Sequence, residues 1–174
     1  MTLPSYGGSQ ADERRAIVAD AGPIHYLILI DCADALPKLF EVVLIPPEVR
    51  DELLHRFTPQ TVKNWITKSP SWLRTEPVLR SHEVNGLHKG EAAALQLALQ
   101  ANASAVLMDD LDGRAAARRL GLTVIGTIGV LERMSELKLI DLPTTITKLR
   151  RTNCFVSAGL LDAALERDRQ RRAS

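Results

Sequence analysis

Short runs of consecutive apolar residues alternate with longer segments of helical character along most of the chain. The runs at residues 17–19, 42–45, 105–108 and 122–125 are rich in Val, Ile, Leu and Ala. Because nearly every position in these runs is apolar, rather than every second one, we expect strands that are buried on both faces. Such strands in alternation with helices predict an α/β fold in which helices cover both faces of a mainly parallel sheet.

Helical periodicity predicts the elements between and after these strands. Residues 90–102 are rich in Ala and Leu, and residues 47–57 place Val49, Leu53 and Phe57 on one face at a spacing of four. Residues 69–89 have weak periodicity and are expected to form a loop around a short strand at 72–75. The other predicted helices cover residues 23–34, 60–68, 111–120, 130–138, 143–151 and 157–170.

The length of 174 residues fits a single hydrophobic core. We expect residues 1–15, which are polar and lack any period, to form a flexible leader. Residues 16–165 would then form one domain, and residues 166–174 a basic C-terminal tail. No signal peptide or apolar run of about 20 residues is visible, so we expect a cytoplasmic protein without membrane contact.

Composition and charge narrow the function classes only slightly. The chain has 45% apolar and 25% charged residues, as ordinary globular proteins do, and its net charge of +1 provides no general attraction to nucleic acid. Cys32 and Cys154 form no CxxC motif, which argues against a zinc ribbon or a disulfide framework. The four histidines, at positions 25, 55, 82 and 88, lack the spacing of metal ligands.

Acidic residues directly follow two of the predicted strands. Asp20 comes after the first strand, and Asp109 and Asp110 after the strand at 105–108. Ligands of open parallel sheets bind at the carboxyl ends of the strands, where these carboxylates would meet. Clustered carboxylates need a compensating cation, and Mg²⁺ or Mn²⁺ with oxygen ligands suits the hydrolysis of phosphodiester bonds. The alternative for each aspartate is a helix N-cap.

Two glutamates have simple structural explanations when they are considered alone. Glu52 lies beside Asp51 on a predicted helix and is expected to face solvent. Glu91 lies in the first turn of its helix, where a negative charge interacts favourably with the helix dipole. Similarly, the turn from Gly126 to Gly129 can present backbone N–H groups to a phosphate, but tight packing also explains its glycines.

Four segments together resemble the PIN-like domain family, in particular its compact prokaryotic branch of stand-alone proteins. They are IVADAGPIHYLILI, IPPEVRDELL, GEAAALQLALQ and AVLMDDLDGRAAARRLGLTVIGTIGVL, in the order of the family and spanning about residues 16 to 165. The resemblance implies a three-layer α/β/α sandwich and a ribonuclease for single-stranded RNA that uses Mg²⁺ or Mn²⁺ held by three or four acids. It also implies the toxin of a toxin–antitoxin pair, with an antitoxin protein as partner.

Carried over motif by motif, the resemblance assigns the catalytic acids to Asp20, Glu52, Glu91 and Asp110. Asp20, Glu91 and Asp110 are then the metal ligands, and Asp109 supports them or serves as an alternate ligand. The chain departs from the family pattern at two positions. The family often has aspartate in place of Glu91, and it has a small hydroxyl residue where this chain has Met108.

Partner contacts are expected on two helices. Arg114, Arg118 and Arg119 follow the last acid, and the first and second of them lie one turn apart where they can meet RNA phosphates; a solvated helix face is the alternative. The apolar helix at 23–34 suits a homodimer interface.

Two other functions compete with the nuclease. The sequence Asp110-Leu111-Asp112-Gly113 matches the DxDG motif of haloacid-dehalogenase-like phosphatases, although that motif normally opens its fold and Arg114 replaces the usual small or β-branched residue. The chain can also be a degenerate PIN-like module that binds RNA or protein without cleavage. Retention of all four acids favours catalysis, because a pure binding module has no reason to keep like charges together.

Overall fold

The computed structural model describes residues 16–79 and 86–174. The expected leader at 1–15 and His82 lie outside the described residues. The strands are β1 (Ile17–Ala19), β2 (Val43–Ile45), β3 (Leu73–Thr75), β4 (Val106–Leu107) and β5 (Val124–Ile125). The helices are α1 (Ala21–Leu29), α2 (Pro47–Leu53), α3 (Gln60–Thr67), α4 (Lys89–Gln100), α5 (Leu111–Arg119), α6 (Thr127–Glu136), α7 (Leu142–Arg150) and α8 (Ala158–Ala173), with a 3₁₀ helix at Ala33–Lys38.

The strands form one parallel sheet in the order β3-β2-β1-β4-β5, which confirms the predicted fold class. Successive residues of a strand point to opposite faces of the sheet. All three residues of β1 and all three of β2 are buried, so both faces are covered by helices. The result is the three-layer α/β/α arrangement, with β1 at its centre.

The strand order places a ligand crevice beside β1. The chain runs from β1 outward to β2 and β3, then returns to the other side of β1 as β4, so the order reverses between β1 and β4. A crevice forms at such a reversal, beyond the carboxyl ends of the strands. The backbone N–H of Asp20 donates to the Leu107 carbonyl at 2.9 Å, which ties the two strand ends together.

Two helices end earlier than their periodicity predicts. The helix expected over 23–34 ends at Leu29, because Asp31 has a φ of 61° and a left-handed residue stops an α-helix. The helix expected over 47–57 ends at Leu53. Val49 and Leu53 are buried as predicted, but Phe57 lies beyond the helix and is 78% exposed. The prediction that Phe57 lies on the buried face of this helix was therefore wrong.

The C-terminal segment expected to form a basic tail lies mostly within α8. The side chain of Asp168 is 3% exposed, accepts a hydrogen bond from the Ser135 hydroxyl at 2.6 Å and pairs with Arg172 at 2.7 Å. Arg167 forms a second ion pair, with Glu132 of α6, at 2.7 Å. The contacts to Ser135 and Glu132 hold α8 against α6.

The apolar character of α1 is explained by the core of the chain itself. Ile24, Leu27 and Ile28 are all buried within it. The homodimer stays a prediction. No helix in the described part of the chain is long and apolar enough to cross a membrane.

Two helical glycines form a matched pair for a test of packing. Gly113 of α5 is buried, and a Cβ there would overlap the Sδ atom of Met108, which is itself fully buried. Gly159 of α8 has open space at the same atom. We expect Gly113→Ala to destabilise the protein by about 1–3 kcal/mol through overpacking. Gly159→Ala should be neutral or stabilise it by up to about 1 kcal/mol.

Urea denaturation of the two variants and the wild type measures both free energies of unfolding. Equal stability of the two alanine variants would contradict the packing of Met108 against α5.

Candidate functional site

Asp20 occupies the centre of the crevice at the end of β1. The residue is 8% exposed, and its buried Oδ1 atom has no hydrogen-bond partner among the residues that the structure describes. It precedes α1 at the N-cap position, yet its side chain makes no capping hydrogen bond. Burial raises the pKa of Asp20 to about 7, the Ala21 backbone N–H lowers it, and the charges of Glu52, Glu91 and Asp109 raise it further. The capping explanation therefore does not account for this residue.

Gly90 of α4 has no side chain, and this allows Glu52 and α4 to lie close to Asp20. A Cβ atom built on Gly90 would lie 2.9 Å from Glu52 Oε2 and 3.9 Å from Asp20 Oδ1. The absence of a side chain at Gly90 thus allows α2, α4 and the end of β1 to converge. Glu52 is exposed, as expected when it is considered alone, and its carboxylate nevertheless borders the crevice beside Asp20.

Glu91 combines a helix-capping contact with a position near the other acids. Its Oε2 atom accepts a hydrogen bond from the His88 backbone N–H at 3.0 Å, as in a capping box at the start of α4. Burial raises the pKa of Glu91, and the charges of Asp110 and Glu52 raise it further. The first-turn explanation is correct, and the carboxylate nevertheless belongs to the cluster.

Asp109 is held by the first residue of α6. The backbone N–H of Thr127 donates to Asp109 Oδ1 at 2.7 Å, and the Thr127 hydroxyl donates to Oδ2 at 2.6 Å. The helix N-terminus that follows Gly126 therefore binds an anion, as its turn allowed, but that anion is a carboxylate of the same chain. Both oxygens of Asp109 are engaged.

Asp110 caps α5. Its Oδ2 atom accepts hydrogen bonds from the backbone N–H groups of Asp112 at 2.9 Å and Gly113 at 3.0 Å. The residue is exposed, and its charge acts on Glu91 across the crevice. The N-cap alternative is thus correct for Asp110, whose carboxylate also faces the crevice acids.

The structure thus brings the five predicted acids to one end of the sheet. Their carboxylates lie farther apart than the ligands of a single bound ion would. Within residues 16–79 and 86–174, no three Asp, Glu, His or Cys side chains are close enough together to hold one ion. Carboxylates repel one another when no cation is present, and three of these five turn toward N–H or hydroxyl donors. These three are Glu91, Asp109 and Asp110.

The three arginines expected to bind RNA differ in their surroundings. Arg114 is half-buried, and its Nη1 atom donates to the Met108 carbonyl at 2.8 Å, so it fixes the end of β4. Arg118 and Arg119 are exposed near the end of α5. Phosphate contact by these two arginines stays a prediction.

Thr127 is the residue at this site that the sequence reasoning did not assign. The available signal was its position, since it lies two residues after the end of β5, at the start of a helix, and the acids after β1 and β4 also lie between a strand and a helix. Hydroxyl residues at such positions commonly interact with neighbouring polar groups.

Comparison with known proteins agrees with this geometry. A protein-family model described as a PIN domain matches residues 16–170. A comparison with curated proteins gave no match. The family match covers all five strands and all five acids, and it provides no support for the dehalogenase-like alternative. The chain therefore belongs to the PIN domain family, whose members are generally nucleases.

Proposed function

We propose that this protein is a Mg²⁺- or Mn²⁺-dependent endoribonuclease that hydrolyses phosphodiester bonds of single-stranded RNA at the carboxylates around Asp20. The observation that carries this proposal is the buried Oδ1 atom of Asp20, which has no hydrogen-bond partner among the described residues and lies near other acids. A buried carboxylate without a partner is destabilising for the fold, and a pure binding module would have no use for it.

The donor set fits a hard divalent cation. All the side chains at the site are carboxylates, and oxygen ligands are those that Mg²⁺ and Mn²⁺ prefer. The hydrogen bonds favour Asp20, Glu91 and Asp110 as ligands. Glu91 and Asp110 each use one oxygen for a backbone contact, on Oε2 and Oδ2 respectively, so the other oxygen can face an ion.

Asp109 fits a supporting role because Thr127 engages both of its oxygens. Its negative charge still acts on Asp20. Glu52 borders the groove on the other side of Gly90 and is placed to accept a proton from an attacking water. A bound cation would lower the pKa of that water and neutralise phosphate charge.

Two features of the proposal concern partners. The first is that the protein acts as the toxin of a toxin–antitoxin pair, in which case an inhibitory antitoxin should cover the crevice. RNA phosphates should contact the exposed Arg118 and Arg119 on α5.

The raised pKa of Asp20 predicts a pH-dependent stability. The folded protein binds the Asp20 proton more tightly than the unfolded chain does. The resulting stabilisation of the fold is complete at low pH and is lost as the pH rises from about 4 to about 7. In the chelator-treated protein, Asp20→Asn should therefore gain stability relative to wild type as the pH rises. We expect a relative gain of about 2–3 kcal/mol between roughly pH 5 and pH 8.

Urea denaturation across this pH range measures the effect, and Asp162→Asn, which changes an exposed acid of α8, is the control. Addition of Mn²⁺ at the higher pH should stabilise the wild type but not Asp20→Asn. Parallel pH profiles for the wild type and Asp20→Asn would show that burial does not disfavour the Asp20 carboxylate.

The activity itself is tested by single substitutions that keep the shape of each side chain. Asp20→Asn, Glu52→Gln and Asp110→Asn should each lower Mn²⁺-dependent cleavage of single-stranded RNA by at least about 100-fold. Asparagine caps helices about as well as aspartate, so Asp110→Asn separates the lost charge from the retained cap. Circular dichroism checks the fold, and Asp162→Asn should cleave as the wild type does. Unchanged cleavage by Asp20→Asn would reject the proposed site.

A further inference from the structure

A groove with a volume of about 500 Å³ begins directly beside the carboxylates. Its first residues, Ala21 and Gly22, follow Asp20, and Glu52 forms part of its wall. The groove then extends away from the sheet between α1, the α2–α3 loop and the segment between α7 and α8. The side chains that argue for its function are His25, Tyr26, His55, Phe57, Thr58 and Asn153.

Aromatic residues are scarce in the chain, and two of them line this groove. The sequence contains two Trp, two Tyr and three Phe residues. The two tryptophans, Trp65 and Trp72, pack on each other with centroids 5.8 Å apart. Tyr26 and Phe57 instead line the groove together with two of the four histidines. Packing against the core explains the tryptophans and part of the Tyr26 ring, but it does not explain Phe57, which is exposed.

Phe57 is presented to solvent by an ordered turn. Its ring is 78% exposed, lies 5.3 Å from the His55 ring and has the Arg56 guanidinium 4.5 Å from its centroid. The Phe57 backbone N–H donates to His55 Nδ1 at 3.4 Å, and the Thr58 hydroxyl donates to the Glu52 carbonyl at 3.1 Å. The turn thus fixes an aromatic face and a positive charge relative to a carboxylate of the site.

The opposite wall offers a second, perpendicular ring pair. His25 and Tyr26 lie with centroids 5.0 Å apart at an interplanar angle of 73°. Burial lowers the pKa of His25 below its usual 6.5, so its ring is uncharged at neutral pH. The amide of Asn153 and the hydroxyl of Thr58 add hydrogen-bonding groups to the same walls. Flat aromatic rings, edge hydrogen-bonding groups and a rim cation match the chemistry of a nucleotide.

We propose that this groove binds an unpaired nucleobase of the strand whose phosphate lies at the carboxylates, with the base stacked on Phe57 and Arg56 near the adjoining phosphate. The inference rests on the proposed function and adds to it. Proteins that bind single strands combine positive charge with exposed rings on which bases stack, and duplex bases are not available for such stacking. The groove would therefore explain a preference for single-stranded substrate.

The test measures binding in the absence of cleavage. Divalent ions are chelated, and the Kd of a fluorescein-labelled single-stranded RNA of about ten nucleotides is measured by anisotropy at low salt. Phe57→Ala should raise the Kd about 5- to 100-fold, as expected for the loss of one stacked base. The matched control is Phe155→Ala, since Phe155 is fully exposed and lies outside the groove. We expect its Kd to stay within about twofold of wild type.

A second oligonucleotide of the same length that lacks bases separates stacking from backbone contact. Phe57→Ala should leave its Kd unchanged. The inference is overturned if Phe57→Ala binds the normal RNA as the wild type does, if it weakens binding of the abasic strand equally, or if the wild type binds neither strand. An unaffected RNA Kd would point to a protein partner for Phe57 instead. Since no cleavage is read, these outcomes are independent of the Asp20→Asn activity result.

Discussion

The buried carboxylate of Asp20 is the constraint around which the site is organised. All five strands run in the same direction, so the residues that follow β1 and β4 meet at one edge of the sheet. Negative charges are thereby gathered around the buried Asp20, which is unfavourable without compensation. Glu91, Asp109 and Asp110 reduce this repulsion through donors from their own surroundings, such as the Thr127 contacts to Asp109. Asp20 Oδ1 has none. Within this cluster of acids, Asp20 Oδ1 is therefore the atom at which a cation would be most stabilising.

Capping and metal binding are compatible at this site, rather than competing explanations. Asp110 places both of its capping hydrogen bonds on Oδ2, and Glu91 accepts from His88 through Oε2 alone. The backbone contacts fix each carboxylate at the start of a helix while one oxygen is left for the crevice. A helix N-terminus also favours the charged form of a carboxylate near it. Two of the proposed ligands are therefore oriented by α4 and α5 before any ion binds.

Sequence patterns predicted the parts of the fold that depend on burial. The buried strands and the strand-end positions of Asp20 and Asp110 followed from apolar runs, because a run buried on both faces has few other interpretations. The early end of α1 was not predictable, since the left-handed Asp31 is neither Gly nor Asn. The position of Phe57 was predicted wrongly because its spacing fits a helix face, whereas its ring faces solvent. Glu52 required the family resemblance, as nothing in its own helix distinguishes it from Asp51.

The PIN-like family has a small hydroxyl residue near the last acid, at the position where this chain has Met108. The structure shows what the methionine side chain does there. Met108 is fully buried and packs against Gly113, so its side chain belongs to the core between β4 and α5. A small hydroxyl there would leave a cavity in this chain. The neighbouring strand supplies a hydroxyl instead, because Thr127 follows β5 and donates to Asp109. In this chain the hydroxyl donor to Asp109 therefore comes from the end of β5. The methionine changes the packing behind the site, while the acids in front of it keep a hydroxyl donor.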